Sequence, residues 1–172
     1  MSYEPQDAIN LLLSYSRHRD FVRLALHRIV DAIEERAIIH DATKLLDDEF
    51  SGFSRINAAA RIQKFGSPEY TEGMRRERSI IDLHFSRNPH HPEHAATGLQ
   101  GSEVVEYEAG LSPREMTFLD VIEMVCDWWG AGKGYDDPRP WPESVKLNLE
   151  SKGKYLTPEQ RWLAEQVATF LP

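Results

Sequence analysis

The first part of the chain carries a pattern that a long helix satisfies. Residues 7–35 contain neither proline nor glycine, and their apolar side chains recur at the spacing of one helix face. The pattern leaves room for a break near Arg17–Asp20, where Asp20 can cap a second helix. No segment alternates apolar and polar residues between turn signals, as a half-buried strand would. The sequence therefore predicts an all-α, compact bundle of about six to eight helices.

Cap and stop signals divide the rest of the chain into shorter helices. Ser67-Pro68 and Thr157-Pro158 are each typical of a helix start, and Ser112 followed by Glu115 forms a further capping signal. Residues 88–110 contain two prolines and several glycines and are expected to be irregular, as is the glycine-rich loop 130–134. The helices expected after the first one span 38–46, 47–65, 68–85, 113–129, 142–152 and 158–170.

Composition excludes several classes of protein. The 172 residues carry 20 Lys+Arg against 28 Asp+Glu, a net charge of −8, which argues against bulk binding to nucleic acid. No apolar stretch approaches the roughly 20 residues of a membrane-spanning helix, and the polar, acidic N-terminus differs from a secretory signal. The single cysteine, Cys126, is expected to be a buried thiol because it lies in an apolar run. We expect a cytoplasmic protein without a membrane partner, and a homo-oligomer is compatible with the sequence.

The distribution of the seven histidines indicates a metal site. His40-Asp41 follows an apolar run, so this pair leaves a core-facing element rather than a loose loop. His18 and His27 both precede it by a distance that lets either fold back beside it, and we favour His18. A histidine on an apolar face is more often a core residue, and the adjacent His-Asp pair is the reason for preferring a ligand here.

A second group of histidines lies in the irregular region. Four histidines and one carboxylate fall within eleven residues, and prolines flank His90-His91 on both sides. Such a run can be a surface tract, but a stiff turn that aims imidazoles is what a metal site needs. The candidate ligands in this stretch are His84, His90 and His91, with His94 the weakest of the four.

Three carboxylates recur on one face of the apolar segment that precedes the glycine-rich loop. Asp120, Glu123 and Asp127 follow the i, i+3, i+7 spacing of a helix face. Carboxylates on a buried helix must be paired or bound to a metal. Salt bridges to the arginines of the chain are the alternative reading.

These motifs together resemble the HD-domain superfamily of all-helical, metal-dependent phosphohydrolases. The resemblance implies that the primary ligands are His18, His40, Asp41 and Asp127. The strings His-Asp-x-x-Lys, His-x-x-x-Asn-Pro-His-His-Pro-Glu and Glu-Met-x-x-Asp-Trp look like an uncharacterised HD-like family of bacteria and their phages. The match covers about residues 18–129. Chain length predicts one domain, 1–172, and residues 138–172 are expected to form a C-terminal helical extension. In many HD enzymes the middle histidines lie on separate helices, whereas here His84 and His90-His91 are close, which argues against two metals.

The ligand types suggest the chemistry. Imidazoles with carboxylates suit a divalent transition metal such as Mn, Fe, Co, Ni or Zn, and the expected substrate is a small phosphate ester such as a nucleotide. Lys44, on a helix with His40, is the first candidate to bind phosphate, although an ion pair with Asp47 or Asp48 is the alternative. The remaining candidates are Arg87 and Lys133 as cations, Glu93 and Glu123 as proton acceptors, and Trp128, Trp129 and Trp141 as stacking residues. For Glu123, a contact to a ligand histidine is the alternative.

Two further functions remain open on the same residues. An HD-type di-iron oxygenase would hold two irons with a visible chromophore. A non-catalytic binding or interaction protein would use the metal only for stability or hold none.

Overall fold

The computed structural model describes residues 4–63, 67–95, 116–135 and 137–172. Within these residues the chain forms seven α-helices and three short 3-10 helices and contains no strand. The predicted all-α class is therefore confirmed. The chain divides into two compact units, Met1–His40 and Asp41–Pro172. No described helix is long and apolar enough to cross a membrane.

The first unit is one helix, α1 (Pro5–Ile39), which begins with a proline in its first turn. The break considered near Arg17–Asp20 is absent, because this stretch has no proline or glycine to interrupt the backbone hydrogen bonds. His18 and His27 are exposed on α1, and His40 follows its last residue and is half-buried.

The second unit opens with the 3-10 helix η1 (Ala42–Leu45) and continues through α2 (Asp47–Ile62), α3 (Pro68–Arg76) and α4 (Arg78–Arg87). The continuous helix predicted over 38–46 is wrong. The helix ends at Ile39, because His40 has a ψ of 125° and Asp41 adopts the left-handed conformation, with φ of 54°. Ser67 caps α3 as predicted, its side chain accepting from the Tyr70 backbone N–H. The single helix predicted over 68–85 is divided at Glu77, whose ψ of 17° is not helical.

The C-terminal half of this unit contains α5 (Phe118–Gly134), α6 (Trp141–Lys152) and α7 (Pro158–Ala168), with η2 (Pro92–Ala95) and η3 (Gly153–Tyr155) between helices. The N-cap of α5 is Thr117, and the capping signal predicted at Ser112 lies outside the described residues. Residues 130–134 continue α5 instead of forming a loop, and none of the three glycines there has the left-handed φ that would end the helix. Thr157 and Gln160 form the capping box predicted for the last helix.

The core of the second unit forms where α5 packs against α6 and α7. Val121, Met124, Val125 and Trp128 line the buried face of α5. Ala164 and Ala168 lie four residues apart on the same face of α7. Their small side chains let α5 pack closely against α7. The predicted burial of Cys126 is wrong: it is exposed, because it falls on the side of α5 opposite to this apolar face.

Candidate metal centre

Asp41 places a carboxylate at the start of the second unit. Its left-handed backbone is uncommon outside glycine, and aspartate is one of the few residues that tolerate it. The side chain is mostly buried, with 15% of its area exposed. Oδ2 accepts from the Lys44 ammonium, and Oδ1 faces a group of imidazole nitrogens. Non-glycine residues with a left-handed backbone occur often at functional sites.

Three imidazoles converge on Asp41 Oδ1. His84, in the last turn of α4, places Nε2 at 3.1 Å from this oxygen. His90 and His91 place their Nε2 atoms at 3.4 Å and 3.9 Å. The Nε2 atoms of His84 and His91 are 3.0 Å apart. All three rings are buried, so the cluster is shielded from bulk water.

The turn after α4 sets the orientation of the imidazole rings of His90 and His91. Asn88 ends α4, and its carbonyl accepts from the backbone N–H of His91 at 3.1 Å. Its side-chain amide donates to the carbonyl of His84 at 2.8 Å and to the Thr43 hydroxyl at 2.8 Å. Pro89 fixes φ at the centre of the turn. These hydrogen bonds of Asn88 and the fixed φ of Pro89 therefore hold the turn in place without a bound ligand.

The spacing of these atoms fits one metal ion. Metal–ligand bonds of about 2.0–2.1 Å in a tetrahedral site place neighbouring ligand atoms about 3.3–3.4 Å apart. The four separations given above, 3.0, 3.1, 3.4 and 3.9 Å, bracket that value. Ligand atoms of Asp41, His90 and His91 also all lie within 4.8 Å of one another. Asp41, His90 and His91 could therefore hold a divalent ion. His84, with Nε2 at 3.1 Å from Asp41 Oδ1 and 3.0 Å from His91 Nε2, is the candidate for a fourth ligand.

At His91 and Asp41 the electrostatics favour the forms that bind metals. At His90 burial acts to lower the pKa, but hydrogen bonds to Asp41 and Glu123 outweigh burial and raise it. Burial, and then the positive charges of His90, His84 and Lys152, lower the pKa of His91 well below its usual range, so its ring is neutral at pH 7. Burial would raise the pKa of Asp41. However, hydrogen bonds from His84 and His90 and the nearby Lys44 ammonium outweigh it and hold this pKa far below its usual range. A neutral imidazole and an ionised carboxylate are the states that ligate a cation.

Two glutamates lie within hydrogen-bond distance of Nδ1 atoms of the candidate ligand histidines. Glu123 Oε1 lies 3.1 Å from His90 Nδ1, and Glu49 Oε2 lies 2.9 Å from His84 Nδ1. A carboxylate that accepts a hydrogen from Nδ1 leaves the Nε2 lone pair for a metal. The alternative reading of Glu123, a contact to a ligand histidine, is therefore the arrangement observed. Glu49 was not predicted from the sequence, because its only local signal is its position in the acidic first turn of α2.

The other predicted site residues lie in different surroundings. Asp127 is half-buried on α5, with a carboxylate oxygen within 4.8 Å of one from Asp41. Asp120, the first residue of the predicted acidic face, forms the capping box of α5 with Thr117. His18 and His40 belong to the first unit. The side chain of His94 lies outside the part of the chain that is described.

The predicted cations differ in their availability. Lys44 is bound to Asp41 and lies over the Phe53 ring, 4.9 Å from its centroid, and the ion pair considered with Asp47 or Asp48 is not what it forms. Arg87 binds Asp48 and Glu49. Lys133 lies on α5 beside Trp129. A lysine that sequence reasoning missed, Lys152 at the end of α6, lies 3.4 Å from Glu93.

The predicted stacking residues are in part used by the fold. Trp128 is buried in the core. The indole N–H groups of Trp129 and Trp141 donate to the carbonyls of Pro172 and Ala168. These contacts tie the C-terminus to α5 and α6.

Comparison with known proteins gives one match. No curated protein and no solved structure matches this chain. The model of one family, DUF5662, described as a family of unknown function, matches residues 10–171.

Proposed function

The chain belongs to DUF5662, a family described without a function, and we propose from its site that it is a metal-dependent phosphohydrolase acting on a nucleotide or related phosphate ester. One observation carries the proposal. Three buried Nε2 atoms and one carboxylate oxygen converge at the spacing of a ligand shell, and glutamates support two of the imidazoles. The HD-like motifs are the reason for preferring hydrolysis of a phosphate ester over other metal chemistry.

The number of ligands bears on the choice of metal. Four protein ligands fill a tetrahedral shell, which is how structural zinc sites are closed. A six-coordinate ion such as Mn, Fe, Co or Ni would keep two positions open for water and substrate. A divalent ion with an open position polarises a phosphoryl oxygen and lowers the pKa of its bound water. We therefore expect activity with six-coordinate ions.

Two lysines place positive charge at the cluster, where a phosphate would need it. Lys44 contacts the carboxylate of Asp41, and Lys152 is close enough to His91 to help lower its pKa. Lys152 remains about a quarter exposed, and its ion pair with Glu93 is long, at 3.4 Å. Lys152 can therefore turn toward an anion, whereas Lys44 would have to exchange its contact with Asp41 for one. Arg87 is less suited, because it neutralises Glu49 and Asp48.

The same ligand count favours one second candidate, a binding protein that a closed metal site stabilises. In that case a tetrahedral zinc would have no position for substrate. The two functions differ in what metal exchange does. Replacing zinc by manganese or cobalt would create activity in the hydrolase and none in the binding protein.

Metal analysis followed by a substrate panel tests the proposal. The purified chain is reconstituted with Mn, Co, Ni, Zn or Mg and assayed on phosphomonoesters, phosphodiesters and nucleotides. We expect about one transition-metal ion per chain and turnover of at least one phosphate ester with Mn, Co or Ni. A chain that binds one ion but hydrolyses none of these esters would contradict the hydrolase and support the second candidate.

A further inference from the structure

We infer that Glu49 is a positioning residue of the metal centre and acts through His84. The inference rests on the metal site of the proposed function but not on the reaction. Glu49 lies eight residues after Asp41 and 35 before His84, and its hydrogen bonds run to His84, Thr43 and Arg87. Its effect on a bound metal must therefore pass through the imidazole.

The surroundings of Glu49 are built for a carboxylate. The residue has no exposed area. Its Oε2 accepts from His84 Nδ1 at 2.9 Å and from the Thr43 hydroxyl at 3.0 Å, and Oε1 accepts from the Arg87 guanidinium at 2.9 Å. An isolated buried carboxylate is costly, and these hydrogen-bond partners offset that cost. Arg87 is the residue that balances its charge.

Two features of α2 bring Glu49 to this position. It is the third residue of the helix, where the free backbone N–H groups favour a negative side chain. Gly52 follows one turn later, with its Cα against Ile80 of α4, so the two helices approach closely. His84 lies one turn after Ile80 on α4. The close approach therefore places Glu49 within hydrogen-bond distance of the ring.

Each ring nitrogen of His84 has a carboxylate beside it. Glu49 Oε2 lies 2.9 Å from Nδ1, and Asp41 Oδ1 lies 3.1 Å from Nε2. Thr43 Oγ1 and the Asn88 amide nitrogen also lie near Nδ1, at 3.1 Å and 3.0 Å. A hydrogen that Glu49 holds on Nδ1 leaves Nε2 as the nitrogen that can bind a metal beside Asp41 and His91. Without Glu49, Nδ1 loses the carboxylate that accepts this hydrogen.

The test compares Glu49→Gln with Asp48→Asn. Both replacements remove one carboxylate that binds Arg87 and keep the size of the side chain, but only Glu49 touches His84. We expect Glu49→Gln to weaken Co²⁺ binding by about 10–100-fold, the usual loss when a group behind a ligand histidine is removed. Asp48→Asn should bind Co²⁺ within about twofold of wild type. Equal affinities for Glu49→Gln and wild type would overturn the inference.

A second measurement on the metal-free chain separates this inference from the proposed function. Long-range ¹H–¹⁵N correlation at one fixed pH reports directly whether His84 Nδ1 carries a hydrogen. We expect a hydrogen on Nδ1 in wild type and in Asp48→Asn, and on Nδ1 in only part of the Glu49→Gln molecules. An Nδ1 without hydrogen in wild type, or an unchanged spectrum in Glu49→Gln, would contradict the role of Glu49. A lack of phosphatase activity would remove the proposed function and leave this result intact.

Discussion

Replacing Gly52 by alanine tests whether the close approach of α2 and α4 builds the site. A Cβ at this position would stand 2.7 Å from two side-chain carbons of Ile80, where an ordinary contact needs at least 3.4 Å. The helices must therefore separate by several tenths of an ångström or more. Overpacking of this kind costs about 1–3 kcal/mol of unfolding free energy. It acts against the gain of about 1 kcal/mol that alanine brings to a helix interior.

Gly130→Ala is the matched control, because a Cβ at Gly130 of α5 meets no atom within 4 Å. This variant should be stabilised by about 0.5–1 kcal/mol through helix propensity alone. The difference between the two variants then isolates the strain at Gly52. We expect Gly52→Ala to be less stable than Gly130→Ala by about 1–3 kcal/mol, which is about 2–12 °C in Tm for a chain of this size.

The same strain at Gly52 should lower the affinity of the site for a metal ion. Glu49 and His84 each lie one turn from the Gly52–Ile80 contact, so separating the helices lengthens their 2.9 Å hydrogen bond. Gly52→Ala should therefore bind Co²⁺ more weakly than wild type, and Gly130→Ala should bind it equally well. Thermal unfolding followed by circular dichroism and Co²⁺ competition with a chelator measure the two effects. If Gly52→Ala matched Gly130→Ala in stability and wild type in Co²⁺ affinity, the reasoning would be refuted.

Three further predictions concern the lysines and a cap. Lys44→Met should retain its metal and lose about 30–1,000-fold in turnover of a phosphate ester, because it removes a charge beside the reacting phosphate; full turnover would exclude that role. Lys152→Met should lower kcat/KM by about tenfold or more, the value of a charge-assisted hydrogen bond. The control Lys154→Met, which removes a lysine that lies over Tyr155, should have no effect, and equal losses in both variants would point to net charge instead. Thr157→Ala should cost about 1 kcal/mol of unfolding free energy through loss of the α7 capping box, measured by urea denaturation, and an unchanged midpoint would contradict the assignment of that cap.

Signals that are local in sequence predicted most of the fold. Ser67 and Thr157 cap their helices as expected, because the hydrogen bonds of a cap lie within three residues of it. The predicted helix ends are wrong where a non-helical conformation at a single residue ends or divides a helix. The left-handed conformation of Asp41 ends the helix predicted through 46, and Glu77 divides the one predicted through 85. Neither residue type forbids a helix, so the pattern gave no warning.

The candidate site was predictable only in part. The histidines of the Asn-Pro-His-His turn are close in sequence, so their convergence with His84 follows from a few turn dihedrals. Glu49 could not be assigned in this way, because its bond to His84 depends on how α2 packs against α4. Lys44 was expected one helical turn from His40, and the 3-10 path of η1 places it against Asp41 instead.

The metal content of the chain tests the central claim most directly. Wild type and Asp41→Ala are purified in parallel, reconstituted with Co²⁺, freed of excess ion and analysed by inductively coupled plasma mass spectrometry. Circular dichroism confirms that the variant keeps its helices. The structure predicts about one Co²⁺ per wild-type chain and close to none in Asp41→Ala, because Asp41 Oδ1 lies at the point where the three imidazoles meet. A wild-type chain without metal, or an Asp41→Ala chain with the wild-type amount, would contradict the site.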